Sequence, residues 1–253
     1  MTRLRKPESG KKSPPVALVT GGAKRVGRAI ALMLAETGYD VAFTYRSSAT
    51  DAKSLVRKIE KIGRRALAIE ADLSDPESAS RVVFDTLNQT FGRLNVLVNN
   101  ASTFAPGRLH ETDMTLMRTV AAVHVQSPLL LCKHFEKMLR RSRGHVVNMV
   151  DLLAEKPWPQ YLIYCASKAA LWNLTLGLAR ELAPEVTVNG IAPGVVDWPD
   201  DYPESEREKY LKRVPLNRAG TPEDVANLVK FLVTDGPYLT GQILRLDGGR
   251  SIT

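Results

Sequence analysis

The sequence predicts an α/β protein built on a single doubly wound parallel sheet of about seven strands flanked by helices. Three observations carry that expectation. Short apolar runs alternate with amphipathic stretches along the chain after residue 15. A glycine turn joins the first apolar run directly to a helical pattern. The 253 residues are 44% hydrophobic but only 6% aromatic, which suits one large core rich in Ala, Val and Leu between helices and a parallel sheet.

The first strand is expected at 16–20, followed by the glycine turn at 21–27 and a helix up to Gly38. A second strand follows at 41–45. Amphipathic stretches at 52–62 and 77–91 precede strands at 66–70 and 94–98. A helical region at 115–139 precedes a strand at 145–150, a helix at 162–182 precedes a strand at 186–191, and the last strand is 243–246. Residues 195–213 contain Trp198, Pro199, Pro203 and a dense charge cluster, and are expected to form a loop over a substrate. Residues 16–253 therefore read as one domain. Residues 1–15 read as a flexible basic arm, where Arg3, Arg5, Lys6, Lys11 and Lys12 face only Glu8.

Much of the net charge of +8 lies in that arm. Elsewhere the charges are interspersed as on solvated helix faces, so no nucleic-acid partner is expected. Cys132 and Cys165 stand alone in apolar surroundings, which implies free buried thiols in a reducing compartment and no metal site. No run of about 18 apolar residues occurs, so no membrane span is expected and the location is read as cytoplasmic.

Two motifs carry chemistry. Backbone N–H groups at a helix N-terminus, unshielded by side chains, form a pyrophosphate site. Gly21, Lys24, Arg25, Val26 and Gly27 make such a turn, although a structural turn with two glycines reads similarly. The second strand ends Tyr45-Arg46-Ser47 with no acid to accept from a ribose 2′-hydroxyl. Arg46 and Ser47 suit a 2′-phosphate instead, which points to NADPH/NADP as cofactor. Tyr164 and Lys168 lie four apart on a helix and so share a face. The ammonium is expected to favour the phenolate and lower the tyrosine pKa, and such a tyrosine can protonate a carbonyl or imine.

Everything after residue 15 resembles the short-chain dehydrogenase/reductase superfamily, with its Rossmann-type fold. Thr20-Gly21 with Gly27, Asp72, Asn99-Asn100-Ala101, Tyr164 with Lys168, Pro193-Gly194 and Asp247-Gly248-Gly249 match its landmarks in order. The resemblance implies that Asp72 and Leu73 approach the adenine and that Asn99, Ala101, Ser102, Pro193 and Gly194 line the cofactor channel. It also implies that Lys168 holds the nicotinamide ribose, and that the protein is a homotetramer.

Three positions depart from the common pattern. Arg25 stands where a third glycine is usual, Asp151 stands where a serine usually lies thirteen residues before the tyrosine, and His124 replaces a helical asparagine of the proton relay. The changes look like those of the pteridine reductases, including bacterial dihydromonapterin reductases. Asn100-Ala101-Ser102-Thr103-Phe104 is similar to theirs as well, with its aromatic residue stacking on a pterin. The likeness implies NADPH-dependent reduction of a dihydropterin or dihydrofolate, with Asp151, Tyr164 and Lys168 catalytic and Arg25, Ser102, Phe104 and Trp198 at the substrate. The alternatives are a ketoreductase such as a 3-oxoacyl-carrier-protein reductase, which ordinarily carries serine at the Asp151 position, or a cofactor-binding regulator without turnover.

Overall fold

The computed structural model describes residues 13–198 and 203–253. Residues 1–12 of the basic arm and 199–202 of the expected substrate loop lie outside the described residues. Seven strands form one parallel sheet: β1 (Val16–Val19), β2 (Asp40–Tyr45), β3 (Ala66–Glu70), β4 (Val96–Asn99), β5 (His145–Met149), β6 (Thr187–Pro193) and β7 (Ile243–Leu246). Their spatial order is β3-β2-β1-β4-β5-β6-β7. The chain winds from β1 outward to β3, then returns to place β4 on the other side of β1. That reversal opens a crevice at the carboxyl ends of β1 and β4.

Both faces of the sheet are covered. Helices α1 (Arg25–Glu36), α2 (Ala49–Lys61) and, from later in the chain, α8 (Pro222–Thr234) pack on one face. Helices α3 (Pro76–Phe91), α5 (Ser127–Ser142) and α6 (Leu162–Leu182) pack on the other. The pleat of β1 shows why its residues are all apolar. Ala17 and Val19 enter the first core while Val16 and Leu18 enter the second, and all four are fully buried.

Three of the helices differ from expectation, and local chemistry explains the first two. The helix expected at 115–139 is instead α4 (Met114–Ala121), a π turn at Ala122–Gln126 and α5. Pro128 cannot donate to the carbonyl of His124 and its ring crowds that oxygen, so the regular ladder opens there. Helix α8 was not expected, yet its start is chemically specified. The Asp224 N–H donates to the Thr221 hydroxyl at 3.1 Å, and the Thr221 N–H donates to the Asp224 carboxylate at 2.9 Å. The third difference is a short helix, α7 (Glu204–Leu211), inside the expected loop.

By length and composition alone α6 could cross a membrane, with a mean hydropathy of 1.2. Its buried residues Leu171, Leu178 and Leu182 face the sheet, as in the core helix of an α/β protein. A buried polar ladder ties α6 to the strands. Asn99 Nδ2 donates to Asn148 Oδ1 at 2.8 Å, and Asn148 Nδ2 donates to Thr175 Oγ1 at 2.9 Å. Cys132 and Cys165 are both free and buried, and burial pushes the Cys132 thiol up to about 12.

Candidate active site

A cavity of about 1020 Å³ lies over the carboxyl ends of the strands. Its first wall is the turn between β1 and α1. Gly21 has φ +63°, and a Cβ on Gly27 would sit 2.3 Å from the Gly21 carbonyl oxygen. Only glycine allows the chain to fold this closely on itself. The loop after β4 is clamped to the turn, because the Thr20 hydroxyl accepts the N–H groups of Asn100 and Ala101, each at 2.9 Å. Exposed backbone at the start of α1, with no side chain at Gly27, fits a pyrophosphate.

Arg25 adopts φ +51°, a conformation that favours glycine. This accounts for the glycine usual at that position. Its guanidinium spans the cavity, forming a close ion pair with the Asp197 carboxylate and donating from Nη2 to the Asp197 carbonyl at 2.9 Å. The sequence reading aims Arg25 at phosphate and pterin; here it joins the turn to the segment after β6. At the far end Arg46 and Ser47 are exposed beyond β2, whose last residue Tyr45 donates to Glu70 Oε2 of β3 at 3.3 Å. Lys24 is paired with Asp51 at 3.1 Å. Asp72, after β3, accepts from the Ser74 N–H and hydroxyl, which hold its carboxyl below the usual range. Arg46, whose charge also lowers Asp72, is the group at this end that fits a 2′-phosphate.

The second wall brings β5 and α6 together. The Tyr164 hydroxyl donates to Asp151 Oδ2 at 2.6 Å, and the other carboxylate oxygen caps a short 3₁₀ turn by accepting the Leu153 N–H at 2.8 Å. Lys168, fully enclosed, donates from Nζ to the Met149 carbonyl at 2.7 Å. Burial lowers Lys168 to about 8, opposed by the Asp151 charge. Burial also raises Asp151, against the hydrogen bonds from Leu153 and Tyr164.

One expectation is corrected here. Tyr164 is raised well above its ordinary value, first by burial and then by the Asp151 charge, rather than lowered by Lys168. The ammonium is held by Met149 and stands 5.7 Å from the tyrosine ring centre, so the nearest charge to the phenol is the carboxylate. Tyr164 therefore holds its proton and shares it with Asp151.

Aromatic rings line the remaining side. Phe104 stacks on Tyr161 at 4.2 Å and 18°, and meets Tyr164 edge-on at 4.8 Å. Trp198 meets Tyr210 of α7 edge-on at 5.4 Å. Sequence reasoning missed Trp158, Tyr161 and Tyr210, all of which line the cavity. A signal was present, since Trp158, Tyr161 and Tyr164 recur every third residue in a chain with few aromatics.

Of the residues expected at the site, all but Asn99 line this cavity. Asn99 is 4% exposed and its amide turns into the sheet toward Asn148. Its neighbour Asn100 lines the cavity instead, bonded to the Thr20 carbonyl at 2.8 Å.

A parallel sheet with this strand order, a glycine turn at its switch point and a Tyr–Lys pair on α6 place the chain in the short-chain dehydrogenase/reductase family of oxidoreductases. The family profile described as Enoyl-(Acyl carrier protein) reductase matches residues 21–251. The chain is 35% identical to the 3-oxoacyl-[acyl-carrier-protein] reductase FabG of Staphylococcus aureus, covering 92% of this chain and 96% of the relative. It is also 35% identical to pteridine reductase 1 of Leishmania tarentolae, covering 94% of this chain and 97% of the relative. Among solved structures it is similar to a short-chain dehydrogenase from Burkholderia cenocepacia in complex with NADP, at 38% identity and a TM-score of 0.87, covering 93% of this chain and 97% of that one. A blue fluorescent protein from a metagenomic library in complex with NADPH is similar at 36% identity and a TM-score of 0.88, over the same shares.

Proposed function

We propose that the protein is an NADPH-dependent pteridine reductase that converts a dihydropterin, such as dihydromonapterin, dihydrobiopterin or dihydrofolate, to its tetrahydro form. The observation that carries this reading is the 2.6 Å hydrogen bond between Tyr164 and Asp151. It places a carboxyl group, raised by burial, behind the phenol. Bound NADPH supplies the hydride. Arg46 and Ser47 hold the 2′-phosphate, and the turn at Gly21–Gly27 seats the pyrophosphate.

The chain's own residues handle the proton. Tyr164 gives its hydroxyl proton to a ring nitrogen of the substrate, and Asp151, hydrogen-bonded to the phenol, relays the proton that replaces it. Lys168, fixed by Met149, positions the cofactor ribose and keeps a positive charge beside the emerging phenolate. Phe104, backed by Tyr161, offers a flat apolar face to the pterin ring. Trp198 and Tyr210 close the outer side. Asp72, Leu73, Ala101, Pro193 and Gly194 complete the cofactor channel, and Ser102 and Arg25 stand between cofactor and substrate.

A second reading has its own support. The FabG relatives are as similar as the pteridine reductase, and they favour a 3-oxoacyl thioester reductase. The two are separated by following NADPH absorbance with dihydropterin, dihydrofolate and a β-ketoacyl thioester, for the native enzyme and for Asp151→Ser. Pterin-dependent oxidation that the variant loses supports the first reading. Turnover of the thioester alone replaces it with the second.

We also assign a homotetramer in the cytoplasm. Exposed Leu109, Met114, Met117 and Leu129 near α4 and α5, and Tyr238 and Ile252 elsewhere, offer apolar surface for subunit contacts. The two free buried thiols suit a reducing compartment. Light scattering after size exclusion tests the assembly.

A further inference from the structure

The strand order gives the cavity two ends. The glycine turn and the loops after β2 and β3 make one end, with Arg46 and Asp72. The loops after β5, β6 and β7, three adjacent strands, make the other, around Tyr164 and the aromatic rings. The charged side chains at this second end are unequally engaged. Asp151 accepts from Tyr164 and Leu153, Lys168 donates to Met149, and Asp197 is paired with Arg25. Lys156 after β5 and Arg250 after β7 also line the cavity, and neither has an Asp or Glu partner among the described residues.

Arg250 is the better held of the two. It opens a short 3₁₀ turn, Arg250–Ile252, which Asp247 ties to the end of β7 by accepting the N–H groups of Gly249 at 3.0 Å and Ser251 at 2.7 Å. The guanidinium stands 5.7 Å from the Tyr210 ring centre. Tyr210, raised first by burial, feels the charges of both Arg250 and Asp151, so the guanidinium and the catalytic carboxylate lie near one ring. Nη1 lies 3.3 Å from the main-chain oxygen of Thr253 and 3.5 Å from its hydroxyl. Nε is buried without a hydrogen-bond partner, and Nη2 makes no hydrogen bond among the described residues. The Nε–Nη2 edge of a guanidinium is a fork that grips a carboxylate or phosphate through two parallel bonds. A buried donor that the protein leaves unsatisfied calls for a partner from outside it.

We propose that Arg250 is a specificity-determining residue that binds an anionic group, a carboxylate or a phosphate, on a substituent of the substrate. The cofactor's own phosphates belong at the opposite end, with the glycine turn and Arg46. Lys156 adds positive potential at the same end as Arg250 and draws the same group in. The inference deepens the pteridine reading, on which it rests for the identity of the reacting ring, by giving that ring an acidic side chain. Asp151, Tyr164 and Lys168 act on the ring, and Arg250 acts on what the ring carries.

Dihydroneopterin, its monophosphate and dihydrofolate carry a neutral, a phosphate and a carboxylate side chain on one ring. The test measures kcat/KM for each with the native enzyme, Arg250→Gln and Arg250→Lys. The preference for a charged over the neutral pterin is expected to fall about tenfold or more in Arg250→Gln, through KM, the range of one charge-assisted hydrogen bond. Arg250→Lys is expected to recover part of it. A loss confined to dihydrofolate assigns a carboxylate, and one confined to the monophosphate assigns a phosphate. Calorimetric titration of the NADP-loaded enzyme with folate and with biopterin reads the same preference without turnover. Equal losses on charged and neutral pterins, as a purely structural role beside Tyr210 would give, overturn the inference and leave the pteridine reading standing. If no pterin is turned over, the pteridine reading falls, and the same ratio is taken for acetoacetyl-CoA, which carries phosphates, against acetoacetyl-N-acetylcysteamine, which carries none. A ratio that Arg250→Gln does not reduce overturns the inference there as well. A matching fall in NADP affinity places the guanidinium on the cofactor and also overturns it.

Discussion

Tyr164 and Asp151 share one short hydrogen bond across the junction of β5 and α6, and each is raised by burial beside the other. Neither group behaves as an isolated acid. The carboxyl accepts the phenol's proton at 2.6 Å, so the phenol is joined directly to a group that relays a replacement proton.

Replacing Asp151 separates stability from catalysis. With its folded pKa raised, Asp151 binds a proton in the folded state over a range where the unfolded chain has lost it, so its cost to stability grows as pH rises above the ordinary carboxylate range. Asp151→Asn is expected to raise the melting temperature more at pH 8 than at pH 5, while lowering kcat by about a hundredfold. Calorimetry at the two pH values and steady-state kinetics check both halves.

Lys168 gives the enzyme an alkaline limit. Its folded value of about 8 means that the ammonium is lost as pH rises through 8, so kcat is expected to fall there. The stability effect has the opposite sign. Between about 8 and the ordinary lysine value the unfolded chain binds the extra proton, so this group makes the folded state relatively more stable as pH increases. A pH–rate profile with no fall between 7 and 9.5 would sink the assignment.

At Arg25 two substitutions isolate backbone strain. Arg25→Gly and Arg25→Ala both lose the exposed pair with Asp197, worth about 1 kcal/mol or less. Only glycine relaxes the positive φ, so Arg25→Gly is expected to be the more stable of the two by about 1 kcal/mol. Urea unfolding of both variants measures the difference.

The proposed 2′-phosphate site predicts that Arg46 decides between cofactors. Arg46→Asp removes a charge-assisted partner of the 2′-phosphate, worth about 1.5–3 kcal/mol, and sets a carboxylate in its place. The ratio of kcat/KM for NADPH over NADH is expected to fall at least tenfold. An unchanged ratio would place the phosphate elsewhere.

Much of this was legible in the chain because parallel strands buried on both faces leave continuous apolar runs. The strand at 66–70, the helix at 162–182 and the strand at 243–246 were expected with the bounds they have. The π turn was not, because its cause is a single proline inside an otherwise helical pattern. Helix α7 has no buried residue and no apolar stripe to announce it. In α8 the capping residues were present and simply not read. Within the site, the types and spacings of Tyr164, Lys168 and Asp151 were visible, but not the partner of the ammonium. That partner is the Met149 carbonyl, a backbone atom that every residue carries, so no side-chain pattern encodes it. Asn99 shows the same limit, since whether a side chain at a strand end turns to the crevice or into the sheet depends on the neighbouring strand.

The ladder from Asn99 through Asn148 to Thr175 acts as a chemical key for strand registry. Apolar contacts between β4, β5 and α6 would tolerate a slip of the strands with little change in area buried. A slipped β5 would strand two carboxamides in a dry interior, each costing about 1–3 kcal/mol. The catalytic pair sits one step beyond this key, with Asp151 following β5 and Tyr164 on the same helix as Thr175. Misalignment would therefore be penalised before it could displace the phenol from its carboxylate, so the polar residues of the core safeguard the geometry of the reaction.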